Sequence, residues 1–73
     1  MEAERNIKLW LGNDESLYRA MVKYARTAKN PNYKELIMVL GYQDSQTPDG
    51  TDWIDESLAY QDLDEFVADH KND

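Results

Sequence analysis

Asn6-Ile7-Lys8-Leu9-Trp10-Leu11-Gly12-Asn13-Asp14-Glu15-Ser16-Leu17-Tyr18 is the stretch around which the chain is organised. Gly12 suits a left-handed residue that stops one helix, and Asn13 or Asp14 can accept the unpaired amides that open the next. This stretch therefore predicts two helices meeting at a tight corner. Ile7, Leu9, Trp10 and Leu11 before the corner, with Leu17 and Tyr18 after it, give later segments an apolar surface to pack on.

Working outward, Met1 to Arg5 is charged, lacks an apolar partner within a turn and reads as a frayed end. Asn6 then caps a short helix through Leu11. Trp10 reads either as core or as an interface anchor, because tryptophan beside arginine and lysine is typical of binding hot spots. A second helix is predicted from Asp14 to Lys29, with the apolar stripe Leu17, Met21, Tyr24, Ala25 and Ala28. Arg19, Lys23, Arg26 and Lys29 recur every three or four residues on its other side and form a basic ridge. Such a ridge is either the solvated side of an amphipathic helix or a contact surface for an acidic segment or a nucleic-acid backbone.

Asn30-Pro31 marks the next boundary, with asparagine as cap and proline at the first helical position. The third helix is predicted over residues 31–40, with Tyr33, Leu36, Ile37 and Leu40 inward, Met38 and Val39 thickening that face, and Gly41 as terminator. Leu36 to Leu40 also fits a strand, but a lone strand has no ladder partner, so helix is preferred. Thr47-Pro48-Asp49-Gly50 is a turn. Trp53, Ile54 and Leu58 tie the loop to the core ahead of a last helix over residues 60–70, carrying Leu63, Phe66, Val67 and His70. The expected fold is an all-α compact bundle of about four short helices with one Pro/Gly loop before the last. It forms one small domain over residues 1–73, with 1–5 and 71–73 frayed.

Seventy-three residues leave little surplus burial for a deep catalytic pocket. The chain has no cysteine, so neither disulfides nor thiolate metal ligands contribute. No apolar run approaches the roughly 18 residues that span a bilayer, and the acid-rich start is not a signal peptide, so a soluble protein inside the cell is expected. The net charge of −7 is unevenly spread. Residues 1–35 hold seven basic groups against five acids, whereas residues 36–73 hold Lys71 against ten. That balance disfavours non-specific nucleic-acid binding by the whole molecule.

A calcium loop starting at Asp44 fails on spacing, because Asp49 stands where glycine is needed and Pro48 where a ligand is needed. His70 is the only histidine, and Ser16, Ser45 and Ser57 lie in no nucleophile motif. There is no glycine-rich phosphate loop. These features speak against an enzyme, a metal site or any cofactor, and for a protein that acts by binding.

The pattern Asn6-x-x-Leu9-Trp10-Leu11-Gly12-Asn13-Asp14-Glu15-x-Leu17-Tyr18, followed by Thr47-Pro48-Asp49-Gly50-x-x-Trp53 and Leu63-Asp64-Glu65, resembles a family of small phage and plasmid proteins. Those relatives carry a further asparagine, tyrosine and tryptophan upstream of the first helix, where Met1 to Arg5 stand here. In size and character the chain is most similar to the small RNA-polymerase-binding transcription regulators of lytic Xanthomonas phages. The resemblance implies a phage-encoded regulator in the cytoplasm of the bacterial host, monomeric when free, that takes part in host takeover. It implies binding to host RNA polymerase at the β′ N-terminus near the RNA exit channel, with the β flap, a Nus factor and nascent RNA as further contacts. The implied outcomes are inhibition of initiation by aiding sigma displacement, and antitermination.

From charge and spacing, Arg5, Lys8, Trp10, Arg19, Lys23 and Arg26 are the expected partner-binding residues, with Asp52, Asp55, Glu56, Asp62 and Glu65 as a secondary acidic surface. An alternative is an acidic anti-defence protein mimicking DNA through Asp44, Asp49, Asp52, Asp55, Glu56, Asp62, Glu65 and Asp69. A third is direct nucleic-acid binding by the second helix.

Overall fold

A computed structural model describes residues 2–73. Four α-helices, α1 (Glu2–Asn13), α2 (Glu15–Thr27), α3 (Tyr33–Leu40) and α4 (Tyr60–Asp69), are followed by a 3-10 turn over His70–Asn72. The fold is all-α, 64% helical. Among the described residues the only β-type pairing is an isolated antiparallel bridge between Gln46 and Asp52, closing the loop before α4.

The corner between α1 and α2 is tighter than the sequence suggests, and Gly12 does not make it. The amide of Asp14 still donates to the Trp10 carbonyl at 3.0 Å, so α1 runs through Gly12 and Asn13. Asp14 alone is extended, at φ −83° and ψ 118°, and its side chain accepts the Leu17 amide at 3.0 Å. One capped residue thus reverses the chain. The left-handed glycines are Gly41, the C-cap of α3 at φ 79°, and Gly50 in the loop at φ 89°.

α1 also begins earlier than expected. Residues 2–5 are helical, and Met1 lies outside the described residues. Glu4 is 2% exposed, and its Oε2 accepts the Ala59 amide at 2.8 Å. Ala59 is the N-cap position of α4 and has no side-chain cap of its own. A carboxylate from α1 therefore serves the start of α4, where negative charge also complements the helix dipole. A second exchange works the same way, since Asp64 of α4 accepts the amide of Tyr33, the first residue of α3, at 2.8 Å.

α3 starts at Tyr33, two residues after Pro31. Asn32 is extended (φ −145°, ψ 156°), caps the Glu35 amide, and gives its own amide to the Tyr24 hydroxyl at 3.0 Å. Asn32 is therefore the cap in place of Asn30, and Pro31 stands before the helix. α2 ends at Thr27, leaving Lys29 beyond the helix.

Ile7, Leu11, Met21, Ala25, Tyr33, Leu36, Ile37, Leu63 and Val67 are fully buried, and Tyr24, Trp53 and Leu58 nearly so. α4 packs on α1, α2 and α3, while α1 and α3 do not meet. The buried Tyr33 hydroxyl donates to the Trp53 carbonyl, which fixes the loop to the core. Burial pushes the pKa of that phenol well above its ordinary value. Leu9, Met38 and Val39, expected inside, are 53%, 63% and 68% exposed. An eight-residue helix packed through Tyr33, Leu36 and Ile37 turns its next positions outward.

Residues 70–73 also pack on the body of the molecule. The 3-10 turn packs on α2, the Tyr18 hydroxyl donates to Asp73 Oδ2 at 2.6 Å, and Arg26 donates to the main-chain oxygens of Lys71 and Asp73. Among the described residues no helix is long and apolar enough to cross a membrane.

Candidate functional site

The outer side of α2 carries the largest group of the basic residues singled out in the sequence. Arg19, Lys23 and Arg26 are all exposed. With Tyr18, Val22 and Thr27 they border a hollow of about 320 Å³ whose remaining wall is Asp73. Arg19 is paired with Glu15 one turn earlier, both side chains being about three-quarters exposed, a geometry that contributes little to stability. Arg26 and Tyr18 hold Asp73, as above. That hydrogen bond, followed by partial burial, raises the Tyr18 pKa. Arg26 of the basic ridge therefore already holds main-chain oxygens of the chain's own last residues, while Tyr18 beside it holds the Asp73 carboxylate.

The other expected contact residues lie elsewhere. Lys8 reaches Asp62 at 2.6 Å and stands 5.6 Å above the Phe66 ring, so it joins α1 to α4. Arg5 is exposed and borders a shallow hollow with Glu2, Asn6 and Leu9. Trp10 is half-buried, and its indole N–H donates to Asp49 Oδ2 at 3.1 Å. The Asn6 amide donates to the same oxygen at 2.9 Å, and the Asn6 carbonyl oxygen accepts from the Thr47 hydroxyl at 2.8 Å. These two donors, Asn6 first and Trp10 second, hold the Asp49 carboxyl below its ordinary pKa. Trp10 is thus neither a core residue nor a free anchor, because the Pro/Gly loop grips its polar edge.

The expected secondary acidic surface divides in the same way. Asp62 is bound to Lys8, Asp52 accepts from the Gln46 side chain at 3.0 Å, and Asp55 accepts from the amide and hydroxyl of Ser57. Glu56 and Glu65 are exposed. Of the eight carboxylates considered as phosphate substitutes, Asp49, Asp52, Asp55 and Asp62 are engaged in hydrogen bonds within the fold. The separation of charge along the sequence is reduced in space where Lys8 of α1 meets Asp62 of α4.

His70 places Nδ1 2.7 Å from the Phe66 carbonyl, and its ring packs edge-on against Tyr18 at 5.8 Å and against Phe66 at 4.6 Å. Its environment is that of a packed side chain. Among the described residues no group of three or more His, Asp or Glu side chains converges as a metal site would.

A third concavity is one that the sequence did not point to. A cleft of about 450 Å³ lies between the α1–α2 corner and the loop before α4, walled by Trp10, Tyr42, Trp53 and Pro48 with Asp14 and Leu17. Its residues are scattered over four segments, and only their shared aromatic character hinted at it. No known protein family, characterised protein or solved structure matches this chain.

Proposed function

We propose that this chain acts by occupying a surface of a larger partner, and that the partner is the RNA polymerase of a bacterial host. The contact would be made through the outer side of α2, where Arg19, Lys23 and Arg26 are exposed. The observation that carries the binding mode is the α2 hollow, where Tyr18 and Arg26 hold the Asp73 side chain and main chain. A surface that holds an aspartate carboxylate and main-chain oxygens of its own chain has the donors and charge to bind an acidic segment of another protein. Polymerase as the partner is supported by the sequence resemblance alone. On this reading, binding at the β′ N-terminus reduces sigma-dependent initiation and promotes read-through of terminators.

The test uses purified core polymerase and the full chain, with binding followed by fluorescence anisotropy and function by transcription from a sigma-dependent promoter through a terminator. Binding that weakens with salt, falls for Arg19→Glu with Lys23→Glu and accompanies lost initiation is the expected result. Arg19 and Lys23 are chosen because Lys8 and Arg26 also support the fold. Absence of binding at physiological ionic strength overturns the polymerase reading.

A further inference from the structure

We infer that the cleft between the α1–α2 corner and the loop before α4 is a receptor for an arginine side chain of a partner polypeptide. This is a separate site on a different face from the α2 hollow, and it does not depend on which protein the partner is. Its walls are rings, with Tyr42 stacked on buried Trp53 at 5.7 Å and 29° between planes, and Trp10 alongside. Trp10 cannot swing freely, because Asp49 holds its indole N–H while Asn6 and Thr47 bind the same loop to α1. The cleft is thus held open before any ligand arrives, which lowers the entropic cost of binding.

Charge selects the occupant. No lysine or arginine lines the cleft, and the chain contains none between Lys34 and Lys71. Asp14 stands in the wall with one carboxylate oxygen on the Leu17 amide and no partner for the other among the described residues. Asp49, kept ionised by its two donors, is adjacent through Trp10. Aromatic faces with an available carboxylate suit a planar, weakly hydrated cation, which can stack on a ring and donate hydrogen bonds at its edge. A neutral apolar side chain would leave the Asp14 oxygen unused.

The test is an NMR titration of the ¹⁵N-labelled full chain with the blocked tripeptide acetyl-Gly-Arg-Gly-amide, against the same peptide carrying citrulline, which keeps the shape and removes the charge. A saturable shift of the Trp10 indole resonance with those of Asp14, Tyr42 and Ser45 is expected, with the citrulline peptide about fivefold weaker. Asp14→Asn should weaken arginine binding by about the same factor and lower the melting temperature by no more than about 4 °C, since asparagine keeps the cap hydrogen bond and only the charge at the helix start is lost. Raising salt to about 0.5 M should weaken it further. Equal binding of citrulline, shifts centred on another face, an unaffected Asp14→Asn variant, or no saturation would each overturn the assignment.

Discussion

Replacing Glu4 with alanine should cost this protein a large share of its stability, although position 4 lies within a stretch that composition marks as frayed. The side chain is 2% exposed and its Oε2 accepts the Ala59 amide at 2.8 Å. A hydrogen bond to a charged group contributes about 1.5–3 kcal/mol, and loss of a negative charge at a helix start adds roughly 0.5 kcal/mol. The expected loss is therefore about 2–4 kcal/mol. A chain of this length has a total stability of roughly 4–11 kcal/mol, so the melting temperature should fall by about 10–25 °C. Thermal and urea melts followed by circular dichroism at neutral pH measure it.

Glu4→Gln keeps the acceptor and loses the charge, and should cost about half as much. The Ala59 hydrogen bond, opposed by burial, holds the Glu4 carboxyl below its ordinary value of 4.5. Its contribution is therefore complete above that pH and is lost as pH falls through the lower folded value. The acid limb of the stability curve should be steeper in the native protein than in Glu4→Gln. A Glu4→Ala variant within about 0.5 kcal/mol of the native protein, or parallel acid limbs, would refute the reasoning.

Gly12→Ala should be neutral or stabilise by up to about 1 kcal/mol, because Gly12 is helical with open space around its Cβ direction, and urea melts would show it. Gly41→Ala should destabilise by about 1 kcal/mol in the same assay, because φ there is +79°. Tyr33→Phe removes the donor to the buried Trp53 carbonyl and should cost about 1–3 kcal/mol. With its pKa raised by burial, Tyr33 stabilises fully below pH 10, and that contribution is lost as pH rises through the higher folded value. Absorbance at 295 nm should accordingly show one native phenol ionising only together with unfolding, and this phase should be missing in Tyr33→Phe.

The helices were legible because periodicity reports burial. Met21, Tyr24, Ala25, Leu36, Ile37, Leu63 and Val67 occupy the positions that the 3.6-residue repeat assigns to the inside. Gly41 and the turn at residues 47–50 followed from glycine and proline chemistry. What sequence could not give were the pairings across the chain. Glu4 looks like any exposed acid until α4 brings Ala59 against it, and Asp49 looks like a loop acid until Asn6 and Trp10 reach it. Gly12 was misread because a one-residue corner at Asp14 needs no left-handed glycine. Leu9, Met38 and Val39 were misplaced because apolar identity does not decide which side of a short helix has a neighbour. The candidate site was legible as residue types, in Arg19, Lys23 and Arg26, but the packing of Asp73 against Tyr18 and Arg26 was not.

Helices α3 and α4 do not finish their own beginnings, since carboxylates 31 and 55 positions away complete them. Neither helix is consequently a self-sufficient module that could be transplanted, and a protease nick in the loop at 42–53 would strand each fragment without the acceptor the other supplies. Mixed together, the two pieces would be expected to regain helix only jointly, so the molecule behaves as a mutual assembly of its parts more than as a string of ready-made segments.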